Sequence, residues 1–366
     1  MMIFFYFTID IHHFPWYNLL VNQTRVNPQR KEVTNMSRTA KYIILDTETA
    51  TLPFVNEWEL SSEDKKKIAI AKPLVYDIGW TVATRTHGII KKRNFLVAET
   101  FCVPSIFNTA YYHEKRPLYL EMLAKGEATV LPWNDIMNIL LTDLQDASYI
   151  CAYNAMFDFK KAIIFTEAYI KNLYSPCYYE WEEAQRRICR SILAKPNRKS
   201  DPDFDPEHFI FRGEKYPMID IWGVACKYLL NSNNYKRMCL ESGKMSNPGL
   251  YFSTNAEVAM QYLSEKYDFI EDHTALSDAE IETEILFYCL KRGKIVVGIE
   301  YFPYKMLGET IEFVKRGRGV TEQMAQNVAA KIRGYLPDDM DNPNNYQKSA
   351  FNKLMALEAF IEENWG

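Results

Sequence analysis

Residues 41–50 read KYIILDTETA, and this stretch decides the class of fold. Its first half, Lys41–Leu45, is a β-branched apolar run that predicts a buried β-strand, which we expect to end at Asp46. Because side chains alternate between the two faces of a strand, Asp46 and Glu48 point to the same face. Acidic residues also close strands for structural reasons alone. The pair therefore leaves two interpretations open, a simple strand end or a ligand site at the edge of an α/β sheet.

The surrounding sequence alternates between strand-like and helix-like patterns. Short apolar runs predict further strands over Tyr76–Thr84, Ile89–Val97 and Ser148–Tyr153. Apolar residues at helical spacing predict helices over Leu118–Gly126, Trp133–Gln145, Ala155–Asn172, Ser253–Tyr267, Asp278–Lys294, Thr321–Tyr335 and Tyr346–Asn364, and a strand followed by a helix over Met218–Leu230. This order predicts an α/β fold in which a mixed β-sheet is flanked by helices.

Composition divides the chain into three parts. The first 20 residues are apolar, and residues 22–40 are polar without a periodic pattern. Residues 1–40 are expected to form a poorly structured N-terminal extension. Residues 41–308 contain the strands and most of the helices, with an expected insertion over about 173–217, where Tyr, Arg, Pro and Asp are frequent. Residues 309–366 are expected to form a helical C-terminal extension.

Bulk composition is that of an ordinary globular protein, with 48% hydrophobic and 25% charged residues. The net charge of −4 argues against a protein that coats nucleic acid without regard to sequence. Local basic clusters are nevertheless present, and each of them taken singly is better explained as solvated surface. They are Lys91–Arg93, Arg186–Arg190, Arg198–Lys199, Lys291–Lys294 and Lys315–Arg318.

Cysteine usage and hydropathy indicate a cytoplasmic protein that does not enter a membrane. The seven cysteines are scattered, and no pair has the C-x-x-C spacing of a zinc site or redox pair. Free thiols fit a reducing compartment. No stretch reaches the roughly 18 apolar residues expected of a membrane helix.

The sequence AYNAMFDFKK, residues 152–161, places another carboxylate just after a predicted strand. Asn154 is a favourable N-cap for a helix that begins at Ala155. Asp158 lies four residues after Asn154 and shares its helix face. An acid in the first turn also interacts favourably with the helix dipole, which is a sufficient structural explanation by itself.

The sequence DHTALSDAEIETEI, residues 272–285, supplies a histidine and a further acid. Ser277 and Glu280 have the S-x-x-E spacing of a capping box, which predicts a helix that starts at Asp278. His273 is then expected in the loop before the helix. The structural alternatives are a surface histidine in an acidic loop and an aspartate that only favours the helix N-terminus.

Taken together, the three segments resemble the DEDDh group of DnaQ-like 3′→5′ exonucleases. The group's motif D-x-E-T corresponds to residues 46–49, N-x-x-F-D to residues 154–158, and H-x-A-x-x-D-A to residues 273–279. A sister group has Tyr four residues before the last Asp. Here that position is Thr274, whereas His273 lies five before it. The stretch EDHTALSDAEIE, residues 271–282, is most similar to phage and bacterial members.

The resemblance implies an RNase H-like fold and hydrolysis that uses two divalent metal ions, Mg²⁺ or Mn²⁺, which prefer carboxylate oxygens. It implies that Asp46 bridges both ions, that Glu48 and Asp278 hold the ion beside the attacking water, and that Asp158 acts on the second ion. His273 is implied as the general base, since an imidazole of ordinary pKa accepts protons at neutral pH. The product would be a nucleoside 5′-monophosphate.

The same motifs imply contacts with the 3′ end of a nucleic acid. Leu52 corresponds to the apolar side chain that family members place between the last two bases. Thr49, Asn154 and Phe157 are expected close to the terminal nucleotide, although Asn154 is also explained as a cap and Phe157 as a core residue. Stacking and backbone contacts read a strand without sequence preference. Single-stranded DNA is the expected partner, with RNA as the alternative.

Two other functional classes remain open from the residues alone. One is a non-catalytic nucleic-acid-binding module on the same fold, for example a polymerase accessory. The other is a structural or interaction protein that binds partners through residues 173–217 and 309–366 and binds no divalent ion at the acids.

Overall fold

A seven-stranded mixed sheet lies at the centre of the protein. The computed structural model describes residues 32–33, 39–51, 73–173, 205–246, 248–293, 295–300, 302–337 and 343–366. The strands of the sheet are β2 Lys41–Thr51, β3 Pro73–Thr84, β4 Gly88–Val97, β5 Thr129–Leu131, β6 Tyr149–Ala152, β7 His208–Phe211 and β8 Glu214–Asp220. A separate short pair is formed by β1 Glu32–Val33 and β9 Ile295–Val296.

The sheet has the strand order β5-β4-β3-β2-β6-β8-β7. On one side of β2, the strands β3 and β4 form an antiparallel meander. On the other side, β6 runs parallel to β2 and β8 runs parallel to β6. The mixed α/β sheet expected from the sequence is thereby confirmed.

Helices cover both faces of the sheet. They are α1 Ala98–Phe101, α2 Pro104–Phe107, α3 Arg116–Lys125, α4 Trp133–Leu144, α5 Ala155–Phe157, α6 Ile163–Leu173, α7 Ile221–Tyr228, α8 Asn233–Glu241, α9 Ala256–Ser264, α10 Ala275–Leu290, α11 Thr310–Arg316, α12 Glu322–Tyr335 and α13 Asn345–Trp365. A π-helical segment, Asp158–Ala162, joins α5 to α6. Short 3₁₀ helices occur at His113–Lys115 and Pro303–Leu307.

The alternation of side chains along β2 explains how one strand serves two cores. Tyr42 and Ile44 belong to a core built with α7 to α13, and Ile43 and Leu45 to a core built with α1 to α6. Asp46 continues the first of these two series, so it points toward the face covered by α10. The C-terminal helices pack into this same core through residues such as Val328 of α12 and Leu357 of α13.

Several predicted boundaries were wrong, and non-local pairing explains most of them. Strand β2 does not end at Asp46, because β3 remains paired with it up to Thr51. Part of the predicted insertion is regular, since β7 and β8 form an antiparallel hairpin. The remainder of that insertion, residues 174–204, lies outside the described residues, as do most of residues 1–40.

Helix α10 begins earlier than the predicted capping box requires. Its N-cap is Thr274, and the capping box of Ser277 and Glu280 is not formed there. A buried carboxylate from the sheet replaces the cap, because Asp77 accepts a hydrogen bond from the backbone N–H of Ala275 at 2.9 Å. The predicted helix over Ser253–Tyr267 is also shorter, since α9 starts after its N-cap Asn255.

Candidate active site

Asp46 and Glu48 lie where β2 has lost one neighbour. The pairing of β2 with the parallel strand β6 ends at Ile44, so this edge of β2 is open beside both acids. Both residues are partly buried. Glu48 pairs across the sheet with Asp77, and a register shift follows directly after Glu48. The strand thus presents two carboxylates toward α10 at a position where its backbone pairing changes.

Asp158 reaches the same place from the chain that follows β6. Asn154 caps the helix there as expected, and its Oδ1 accepts a hydrogen bond from the N–H of Phe157 at 3.4 Å. Asp158 begins the π-helical segment and is 3% exposed. Its Oδ1 accepts a 2.6 Å hydrogen bond from Thr47 Oγ1. Since Thr47 lies between Asp46 and Glu48, this bond fixes Asp158 next to the first motif.

Helix α10 brings Asp278 to the two strand acids. One ligand atom each of Glu48, His273 and Asp278 lies within 4.8 Å of the others. Burial, followed by the nearby charge of Asp77, raises the pKa of Asp278. Burial and the charge of Asp278 raise the pKa of Glu48 well above its usual range.

The charges of four neighbouring acids act on Asp46. Burial raises its pKa well above the usual range, and the charges of Glu282, Asp158, Asp278 and Glu48 raise it further. The structure therefore brings together the four carboxylates that the sequence motifs single out, from three separate segments of the chain.

Glu282 and Asp77 are buried acids of this group that were not predicted. Glu282 is 2% exposed and lies one helical turn after Asp278, so it faces the same side of α10. Its Oε2 accepts a hydrogen bond from the N–H of Tyr153 at 3.1 Å. Asp77 is fully buried, and burial raises its pKa to about 7. The i, i+4 spacing from Asp278 was a signal for Glu282, whereas Asp77 is recognisable only from the pairing of β2 with β3.

His273 lies beside the carboxylates in a strained loop, as expected for the residue before the α10 N-cap. Its φ of 48° is in the left-handed region, which few non-glycine residues adopt. The ring stacks on Tyr112, with 4.7 Å between ring centroids. Nδ1 lies 3.6 Å from Glu271 Oε2 and 3.9 Å from Asp278 Oδ2. The imidazole is therefore held at the border of the acidic group.

Lys115 is a cation that acts on this group. Its Nζ donates to the backbone oxygen of Asp272 at 2.5 Å and lies 4.3 Å from the centre of the Tyr112 ring. The ammonium charge opposes the upward shift of the pKa of Glu48 and of Asp278. The pKa of His273 is lowered by burial and, to a smaller extent, by Lys115.

The four residues expected to contact the nucleotide differ in their exposure. Thr49 is partly buried on β2. Asn154 is exposed and makes the capping hydrogen bond described above. Phe157 is partly buried against the α1 to α6 core. Leu52 lies outside the described residues. Their contacts with a nucleotide remain predictions.

The donor atoms of the group suit hard divalent cations. Carboxylate oxygens are the preferred ligands of Mg²⁺ and Mn²⁺. Asp278 Oδ1 is buried without a hydrogen-bond partner, and an unpaired buried oxygen is costly unless a donor or cation satisfies it. When ionised, several carboxylates in one place repel one another, and a bound cation relieves that repulsion. The residues present fit the two ions that the motifs imply.

Two findings concern the chain beyond this site. Among the described residues, none of the helices has the length and apolar character needed to cross a bilayer. Comparison of the chain with family models, with curated proteins and with solved structures found no match.

Proposed function

We propose that the protein is a two-metal-ion 3′→5′ exonuclease of the DEDDh group, with an RNase H-like fold. The observation that carries the proposal is the meeting of Asp46, Glu48, Asp158 and Asp278 at the open edge of β2, with His273 beside them. Taken alone, each of these residues also has a purely structural explanation, such as closing a strand or favouring a helix N-terminus. Local explanations give no reason for three distant segments to place their acids in one buried group.

The acids would hold two divalent cations, Mg²⁺ or Mn²⁺, which when bound stabilise the attacking and leaving oxygens of a phosphodiester. Asp46 is suited to contact both ions, because it lies among the acids of the other segments. Glu48 and Asp278 would hold the ion that supplies the attacking water, and Asp158 would act on the second ion. Thr47 orients Asp158 through its hydrogen bond.

His273 would take the proton from the attacking water. Its lowered pKa keeps the imidazole neutral and ready to accept a proton near pH 7. Tyr112 supports the ring by stacking, and Glu271 faces Nδ1. Attack on the last phosphodiester breaks the bond to the 3′ oxygen of the preceding nucleotide, which leaves a new 3′-OH and a nucleoside 5′-monophosphate.

The substrate we propose is the 3′ end of a single strand, DNA in preference to RNA. The preference for DNA rests on the likeness of residues 271–282 to phage and bacterial members of the group. Thr49, Leu52, Asn154 and Phe157 are the proposed contacts with the terminal nucleotide.

The test is digestion of matched 5′-labelled DNA and RNA oligomers with Mg²⁺, with Mn²⁺ and with EDTA. We expect stepwise shortening from the 3′ end with either metal, release of nucleoside 5′-monophosphates and no reaction in EDTA. Tight binding of the strand without shortening would instead identify a non-catalytic nucleic-acid-binding module. Absence of both strand binding and divalent-ion binding would identify an interaction protein.

A further inference from the structure

His273 belongs to a second group of ligand atoms that the proposed reaction does not use. One ligand atom each of Glu257, Glu271 and His273 lies within 4.8 Å of the others. Glu257 is in the first turn of α9, and the other two residues lie in the loop before α10. One imidazole is therefore shared between the group with Glu48 and Asp278 and this second group.

Glu271 has an unsatisfied oxygen at this place. Its side chain is 10% exposed, and Oε1 is buried without a hydrogen-bond partner. Oε2 lies 3.6 Å from His273 Nδ1. A buried carboxylate oxygen that lacks a donor has lost its hydration without compensation, so the free energy of the site falls when a cation binds there.

The second group is also held in place by the surrounding chain. Glu257 Oε2 accepts a hydrogen bond from the N–H of Glu271 at 3.3 Å, and Oε1 accepts one from Gln261 Nε2 at 3.4 Å. The stacking of His273 on Tyr112 fixes the third ligand. Little side-chain freedom remains to be lost on binding, which favours affinity.

We infer that Glu257, Glu271 and His273 form a third cation site, selective for Zn²⁺ or a similar first-row transition metal, and that its occupancy inhibits the enzyme. An imidazole together with carboxylates suits Zn²⁺, whereas Mg²⁺ prefers oxygen ligands alone. Three protein ligands leave a fourth coordination position for water, as in other zinc sites that have three protein ligands.

Inhibition follows from the chemistry of the imidazole ring, and this step rests on the proposed function. A neutral imidazole has one nitrogen with a free lone pair, and the other nitrogen carries a proton. A metal ion that takes the lone pair leaves no nitrogen able to accept a proton from water. Binding at this site would therefore remove the general base while the four carboxylates keep their own ions.

The binding test uses the full chain in excess Mg²⁺, titrated with Zn²⁺ by calorimetry and with Co²⁺ by visible absorption. We expect one additional ion per chain. Glu257→Gln keeps the size of the side chain and one of its two acceptor oxygens but removes the charged ligand, and it should weaken that binding by roughly tenfold or more. Glu284→Gln is the matched control, because Glu284 is exposed on α10 and outside both groups. Unchanged Zn²⁺ affinity in Glu257→Gln would overturn the site.

Glu271→Gln provides a second binding variant if Glu257→Gln fails to fold, which thermal unfolding would reveal. Loss of the additional ion in Glu271→Gln supports the site, and its retention overturns it. Both readouts are independent of nuclease activity, so an inactive wild-type protein would refute the proposed function and still leave the binding result decisive.

The inhibition test adds Zn²⁺ to the nuclease assay in excess Mg²⁺. Above pH 7, where the imidazole of His273 is already neutral, Glu257→Gln should match the wild type without Zn²⁺. The Zn²⁺ concentration for half inhibition should rise by the same factor as the loss of affinity. Equal inhibition of both proteins would show that Zn²⁺ acts at the four carboxylates instead, and the regulatory inference would be wrong.

Discussion

Asp46 is the strand residue on which the charges of Glu282, Asp158, Asp278 and Glu48 all act. We expect Asp46→Ala to lose essentially all nuclease activity, because the proposed function gives this carboxylate a contact with both ions. The metal-free variant should also melt at a higher temperature than the wild type above pH 7, since a repelling charge has been removed. Gel assays and thermal unfolding in EDTA measure the two effects. Substantial residual activity would place the reaction elsewhere.

His273 is the residue whose removal should slow the reaction and leave binding intact. Loss of a general base typically lowers the rate by about 10² to 10⁴. We therefore expect His273→Ala to retain Mg²⁺ and strand binding, to turn over slowly, and to recover part of its rate at high pH, where water ionises without help. Single-turnover kinetics against pH measure this. Asp272→Asn is the control above pH 7, because Asp272 contacts Lys115 through its backbone and its side-chain charge acts on His273 only by shifting its pKa.

The pH–rate profile of the wild type has a predicted direction as well. Burial and Lys115 lower the pKa of His273, and this outweighs the raising effect of Glu257 and Asp272. The rising limb of the profile should therefore have its midpoint below about 6.5, the ordinary value for histidine. A midpoint clearly above that value, or a native rate for His273→Ala at neutral pH, would contradict the general-base role.

At the scale of elements, the close packing of α10 on the sheet sets the distance between Asp278 and the strand acids. Gly79 on β3 pairs with Asp46 and makes this approach possible. A Cβ at Gly79 would lie 2.6 Å from the backbone carbonyl carbon of Ala275, which is too close for any real contact. The first turn of α10 rests directly on the strand at this point.

We therefore expect Gly79→Ala to displace the start of α10. Overpacking of this kind typically destabilises by about 1–3 kcal/mol. Because Asp278 moves with the helix, the apparent affinity for Mg²⁺ and the nuclease rate should fall more than the stability loss explains. Chemical denaturation and metal titration measure these quantities. Gly334→Ala on α12 is the control, since a Cβ there meets nothing within 4 Å and alanine favours the helix. Equal behaviour of the two variants would show that the close approach is unimportant.

Elements with strong local patterns could be predicted from the sequence, and elements defined by distant partners could not. The helix over Trp133–Leu144 and the strand over Pro73–Thr84 agree with their patterns to within a few residues. The true length of β2 depends on β3, and the start of α10 depends on Asp77 from the sheet. The hairpin of β7 and β8 was missed because Pro217 and the polar residues around it resemble a loop.

The same distinction applies to the site. The motif residues could be named in advance because each motif is contiguous in sequence, although the stacking of Tyr112 on His273 could not. Glu282 had a visible helical spacing from Asp278, but the burial that makes it important is a property of the packed core. Lys115 reaches the site from a 3₁₀ helix that no pattern predicted.

At the scale of the whole molecule, the fold holds a set of buried acids together against their mutual repulsion. The described part of the site contains the four motif carboxylates together with Asp77, Glu271 and Glu282. Burial raises the pKa of each of them, so in the absence of metal several are protonated near neutral pH. Folding and metal binding are therefore both linked to the uptake or release of protons.

This linkage predicts the pH dependence of stability. In the folded protein the pKa values of Asp77, Asp158 and Asp278 are raised from 3.8 to about 7. The folded state therefore holds more protons than the unfolded chain between those values, and the free energy of unfolding in EDTA should fall as pH rises from about 4 to about 7. The stabilising contribution of the protonated acids is fully present below 3.8 and lost once pH exceeds their folded-state values.

Divalent ions should oppose this loss, because they bind only the ionised carboxylates and only in the folded arrangement. Thermal unfolding between pH 5 and pH 8 should show a falling melting temperature in EDTA and a flat or rising one in saturating Mg²⁺ or Mn²⁺. Asp278→Asn removes one titrating group and one ligand, so both the fall in EDTA and the gain from metal should shrink together. A melting temperature that rises with pH in EDTA would show that these acids are not held protonated by burial. If the fall occurs but metal does not reverse it, the acids form a buried cluster that does not bind ions.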